Sequence, residues 1–261
     1  MKSIRPALLA LFTLGLLISN LTSGIAQTPG DLTDFWEMET RYTYSISTWN
    51  TEVGKSTGTF AGIAKHASVG NKYLFRTETI VRMLNGDISS KISSELFTDS
   101  EGYPSFYTAE YIEKKDTTSL TGVISPEGFQ FQKLVDTTES SFTVNSSPTT
   151  VLCDKQSIPL WNLAFYNEPD LEADTIIFHV IIPYLEKRAV MTMVRKPDSI
   201  QTIMGEEINC KVFFSLRTEE YYYITPDHHV ALVSLPKQNL RYELVAVEKV
   251  EIEEKKEDQA E

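Results

Sequence analysis

From Thr40 onward the chain runs in short stretches of alternating apolar and polar side chains, separated by turn residues. In RYTYSIST, Tyr42, Tyr44 and Ile46 alternate with Arg41, Thr43 and Ser45, and this period of two predicts a strand with one wet face. KYLFRTETIVRML sets Tyr73, Phe75, Thr77, Thr79, Val81 and Met83 on one side, with Arg76, Glu78 and Arg82 on the other. Asn85 and Gly86 follow, and because both tolerate positive φ they predict a tight hairpin into ISSKISSELFTD. Turn residues at 99–102 and 126–128 open the next runs, YPSFYTAEYIEKK and FQFQKLVD. Roughly six to eight strands are expected between Thr40 and Asn145, with turns short enough to make neighbours antiparallel. No helical crossovers separate them, which argues against a doubly wound parallel sheet.

The middle of the chain changes period. SIPLWNLAFYNEPD offers Ser157 as an N-cap, Pro159 in the first turn, and Ile158, Trp161 and Phe165 at helical spacing, with Leu160 and Ala164 beside them. Its apolar residues wrap nearly all the way round, so the helix must be covered on several sides and is expected as a plug against the concave face of a curved sheet. Strands resume with DTIIFHVIIP, RAVMTMVRK, CKVFFSLRTE, EYYYITPD, HVALVSLP and LRYELVAVEKV. Pro183, Pro197, Pro226 and Pro236 are expected at strand ends, where a missing N–H does least harm. The chain therefore reads as mainly β: a strongly curved antiparallel sheet, an open half-barrel of meander topology, with one short plug helix. The β domain spans 40–250, as one body or as two halves, 40–148 and 170–250, joined by the helix at 157–166. A lead segment covers 27–39, and the charge run at 251–261 reads as a solvated acidic tail.

Ahead of these elements lies MKSIRPALLALFTLGLLISNLTSGIAQ, with Lys2 and Arg5, an apolar run from Ala7 to Ile18, and small residues ending at Ala26. This is the pattern of a secretory signal peptide, 1–26, and the apolar run is too short for a spanning helix. No cysteine follows Ala26 to carry a lipid, and no later stretch is apolar enough to cross a bilayer, so no transmembrane anchor is expected after cleavage. The expected location is the periplasm or the extracellular space. Cleavage removes Lys2 and Arg5 and moves the net charge from -12 to -14, which excludes nucleic acid as a partner class. In an oxidising compartment Cys153 and Cys210 form either a disulfide, adding about 4 kcal/mol by loop entropy, or two buried thiols. Spacing alone does not choose between them.

Several stretches suggest chemistry. Thr51 to Phe60 contains Gly54-Lys55-Ser56-Thr57, like the end of a phosphate loop, and also fits Gly-x-Ser-x-Gly. A phosphate loop needs an earlier glycine where Trp49 stands, and both motifs need a helix where GTFAGIAK reads as β. Turn and bulge are the expected roles of Asn50, Gly54 and Gly58, with Lys55 and Ser56 facing water. Glu219, Glu220, Asp227, His228 and His229 resemble metal ligands, but adjacent histidines on a strand point to opposite faces, so a polar hairpin end is expected and no metal is assigned. His179 reads as a core or interface histidine, and no motif calls for a cofactor or a catalytic residue. The aromatic set remains. It forms either an ordinary core or the lining of an apolar groove, for which Tyr73, Phe75, Val81, Trp161, Phe165, Phe214 and Tyr223 are the candidates.

YTYSISTWNTEVGKSTGTF resembles the opening hairpin of a bacterial family of exported β-rich proteins of unknown function. DSEGYPSFYTAEY resembles its turn before a strand, and MGEEINCKVFFSLRTEEYYYITPDHHVALVSLP its closing section. That family is similar in outline to lipoprotein carriers of the LolA and LolB type. The resemblance covers much of residues 40–247 and implies an open, curved antiparallel sheet with short helices over its concave side. The function expected is non-enzymatic binding of a hydrophobic small molecule or lipid in that concavity. The alternative is a cell-envelope structural module with a protein partner, and a hydrolase comes third.

Overall fold

The computed structural model describes residues 32–251 apart from 84–85, 115, 126, 148, 155–156 and 169. The signal peptide expected at 1–26 and the acidic tail expected beyond residue 251 lie outside the described residues. A short helix, α1 (Leu32–Phe35), precedes eight strands: β1 (Thr40–Thr48), β2 (Thr51–His66), β3 (Gly70–Arg82), β4 (Ile88–Thr98), β5 (Pro104–Glu113), β6 (Asp116–Ser125), β7 (Gly128–Val135) and β8 (Thr138–Val144). A three-residue strand, β9 (Thr150–Leu152), leads to a 3-10 turn at Ile158–Leu160 and helix α2 (Trp161–Tyr166). Six more strands follow: β10 (Thr175–Ile182), β11 (Lys187–Ile203), β12 (Glu206–Ser215), β13 (Tyr221–Ile224), β14 (Val230–Leu235) and β15 (Leu240–Lys249).

Among the described residues all fifteen strands belong to one curved, open sheet, in the order β8-β7-β6-β5-β4-β3-β2-β1-β15-β14-β13-β12-β11-β10-β9. Two meanders meet where the first strand pairs antiparallel with the last, Thr40 opposite Lys249. Both β segments of the chain thus share one sheet. The exception to the antiparallel pattern is β9, which pairs parallel with β10 and sets Thr150 opposite His179. Its three residues are too few to show a period in the sequence.

Curvature gives the sheet an inner face with two apolar clusters. One gathers Phe60, Phe75, Tyr107, Phe129 and Phe131 from the first meander with Leu32 and Trp36 from the lead segment. The other gathers Tyr44, Phe178, Met193, Phe213 and Tyr222 from the second meander and β1. Helix α2 is shared: Leu163 and Tyr166 face the first cluster, as does the preceding Leu160, while Trp161, Ala164 and Phe165 face the second. An all-round apolar sequence is what a helix held between two cores requires.

The helix docks on a strip of small polar side chains. Ser56 and Thr79 hydroxyls lie 2.7 Å apart, Thr77 lies 2.7 Å from Ser94, and Ser157 lies 2.8 Å from Thr77. Ser157 therefore spends its hydroxyl on the sheet and makes no side-chain cap. Pro159 presses on Gly58, where an added Cβ would come within 2.2 Å of the proline ring. Gly58 sits inside continuous β2, and Ser56 is fully buried beside Thr79, which corrects the expectation that it faces water. The reversal itself falls at Trp49 and Asn50, both with left-handed backbone. Pro197, expected at a strand end, lies inside β11, where the register with β12 shifts between Lys196 and Ser199. A residue without an N–H is tolerated there because the ladder is already interrupted.

Candidate functional site

The hairpin tips β10–β11, β12–β13 and β14–β15 all lie at one end of the second meander, because each joins consecutive antiparallel strands entering from that end. Between them and α2 the inner face is not filled. A cavity of about 450 Å³ remains, lined on its apolar side by Ile158, Trp161, Val180, Ile182, Met191 and Leu235. Cys153, Asp154, Glu220, Tyr222 and Tyr242 form its polar wall, and Lys187, Arg217, Thr218 and Gln238 stand at the exposed rim. A second depression of about 460 Å³ touches Thr51, Glu52, Lys55, Arg82 and Met83, but these are exposed hairpin side chains and offer no enclosed wall.

Asp154 follows β9 and is buried against the first meander, where the hydroxyls of Tyr107 and Tyr111 both donate to its Oδ2. Tyr107 and Tyr111 are four residues apart on β5, so alternation puts both on the inner face, with their hydroxyls 3.2 Å apart. Burial, and then the charge of Asp154, push both phenols well above their ordinary range and keep them as donors. This cluster joins the edge strand β9 to β5 across the concavity. The Tyr184 ring reinforces it, 5.1 Å from Tyr111, as does Lys133, which donates to Glu186 at 2.5 Å.

On the opposite wall Tyr222 donates to Glu220 Oε2 at 2.7 Å. Burial and then Glu220 raise the Tyr222 phenol, and burial followed by the same carboxylate raises Tyr242. The Cys153 thiol is pushed up by burial and then by Asp154, so it stays protonated at neutral pH and is a poor nucleophile. Behind the cavity, Asn162 locks α2 to the sheet: its Nδ2 donates to Tyr44 at 3.0 Å, and its Oδ1 accepts from the Val230 N–H at 2.7 Å. Tyr44 in turn donates to the Val230 carbonyl at 2.9 Å.

Of the seven lining candidates, Trp161 borders this cavity. Phe165 is fully buried in the second cluster, and Tyr73 and Phe75 are buried in the first. Val81 is half-buried against the second cluster. Phe214 and Tyr223 lie on the opposite face of their strands from Phe213 and Tyr222, because Phe213 pairs with Tyr222 and Phe214 with Tyr221. There the Phe214 ring sits 4.8 Å from that of Tyr221, under Lys196.

Cys153 and Cys210 are both buried free thiols, so the disulfide alternative is corrected. Cys153 lies beyond β9 at the cavity, whereas Cys210 lies on β12 opposite Ser199, near the β11 bulge. Burial and then Asp198 raise the Cys210 thiol to about 11. Glu219 ion-pairs Lys237 at the rim. At the far end His228 meets the Phe165 carbonyl at 3.1 Å, and the His229 ring lies 5.2 Å from that of Tyr42. Among the described residues, no three His, Cys, Asp or Glu side chains are placed to hold a metal ion.

Sequence reasoning overlooked Tyr222, Tyr242 and Asp154. The signal for Tyr222 was present: Ile224, two residues on, shares its face and must be inside. Compared with protein families, curated proteins and solved structures, the chain finds no match.

Proposed function

We propose that this chain is an exported, non-enzymatic protein that binds a hydrophobic ligand, a lipid or acyl chain, in the cavity between α2 and the hairpin tips of the second meander. The cavity itself carries the reading: about 450 Å³ walled by Trp161, Val180, Met191 and Leu235, within the size range of small-molecule sites. Burying an alkyl chain there gains about 25 cal/mol per Å² of apolar surface, offset by the ligand's lost freedom. The test is displacement of a fluorescent fatty-acyl probe from the processed protein, joined to native mass spectrometry of material purified from its own host. Saturable binding that Val180→Trp abolishes is expected. No probe binding together with no co-purifying lipid removes the proposal.

A second reading, an envelope interaction module, is favoured by the outer face of β10–β13, where Ile177 and Val190 are exposed beside half-buried Val194, Phe214 and Tyr221. A Phe214→Lys substitution that abolishes capture of an envelope protein while leaving probe binding unchanged would favour it.

A further inference from the structure

Two phenols share the polar wall of the cavity and differ in one respect. Tyr222 donates to Glu220, whereas the Tyr242 hydroxyl, on a fully buried side chain, has no hydrogen-bond partner among the described residues. A buried hydroxyl left unpaired destabilises the empty protein, and phenylalanine at this position would relieve the penalty without changing the ring's packing. A donor held at that cost in a cavity wall is accounted for by an acceptor that arrives with the ligand.

Resting on the hydrophobic-ligand reading above, we propose that the cavity selects an acyl compound with a neutral carbonyl, a fatty ester or amide, whose oxygen accepts from the Tyr242 hydroxyl. Charge sets the neutrality. Glu220 acts on both phenols, so an anionic headgroup at this depth meets a carboxylate. Lys187 and Arg217, the cations that would welcome one, stand at the exposed rim. Tyr242 remains protonated, because burial followed by Glu220 raises its phenol, and so acts as a donor to an acceptor. The hydrocarbon part then runs along Trp161, Val180 and Leu235.

The experiment compares methyl decanoate with undecane, compounds of equal carbon number with and without the ester, as competitors of a fluorescent acyl probe on the wild-type chain and on Tyr242→Phe. The expected result is about a tenfold loss of affinity for the ester in the variant, the fold-change of one unmade hydrogen bond of about 1.4 kcal/mol. Undecane affinity stays unchanged, and the melting temperature of the empty variant is equal or higher. Unchanged ester affinity overturns the proposal, as does an equal loss for both compounds, which would mark a change of shape. Both of those outcomes leave the hydrophobic-ligand reading standing. Failure of the wild-type chain to bind either compound defeats that reading and this one together.

Discussion

Around the first meander the concave face is filled by two sources: Leu32 and Trp36 from the lead segment, and Leu160, Leu163 and Tyr166 from the helical stretch. Around the second the same helix supplies Trp161, Ala164 and Phe165, but among the described residues none of the lead segment joins that cluster, and the space toward the hairpin tips stays open. Both halves are built from the same curved, alternating strands, so curvature alone does not make a cavity. The difference lies in what the rest of the chain brings to the inner face. Trp36 shows the scale of that filling, with its ring 5.0 Å from Phe75 and 5.9 Å from both Phe60 and Tyr166.

The sharpest way to break the contrast is to empty the shared helix. Phe165→Ala removes a fully buried ring from the second cluster and is expected to cost about 3–5 kcal/mol, and Leu163→Ala does the same to the first at about 2–5 kcal/mol. Because the two cores share one helix and one sheet, urea unfolding of either variant should keep a single transition; two transitions would mean that the halves unfold separately. Gly58→Ala should cost about 3 kcal/mol by driving a methyl into the Pro159 ring, and differential scanning calorimetry measures it. An unshifted melting temperature would mean that the helix is not pressed on β2. Asn162→Ala leaves Tyr44 and the Val230 N–H each short of one partner and should cost about 1–3 kcal/mol, read as a shift of the same single urea transition.

The smallest effect is one of pH. His229 is pushed down to about 4, chiefly by burial, with Asp227 opposing. The folded chain then binds fewer protons at this site than the unfolded chain, whose histidine titrates at about 6.5. This contribution is complete above pH 6.5 and is lost as pH falls toward 4. Melting temperatures of the wild-type chain and His229→Gln, compared across that window, should converge on acidification; parallel curves would mean the ring is solvated.

Period-two alternation was enough to place Tyr42, Tyr44 and Ile46 inward on β1, and to set Tyr73, Phe75, Thr77 and Thr79 on one inner face of β3. The all-round apolar run at 157–166 was legible as a plug, though Ser157 turned out to bond the sheet. Tyr221–Tyr223 carries aromatics on both faces of one strand, and only Ile224, next on the Tyr222 face, marks which of them points inward. Ser56 was misplaced because a serine between glycines reads as a turn when its partner, Thr79, is a strand away. The cavity was least legible. Its walls come from three hairpins, a helix and the segment after β9, and only their tertiary arrangement brings Asp154, Tyr222 and Tyr242 together.

The pairing of β1 with β15 has a consequence for how this chain can be handled. Val250 donates to the Glu39 carbonyl at 2.8 Å and Lys249 reaches the Met38 carbonyl at 2.7 Å, so the sequence-distant ends are zipped together mid-sheet while the free borders belong to mid-chain strands. Such long-range registry delays closure until the final strand has been delivered, which favours slow folding from a loosely organised chain. It also marks the β8–β9 connection as the natural place to open the chain: a permutant begun there, with residue 251 joined to Leu32 by a flexible linker, keeps every ladder intact together with Leu32 and Trp36.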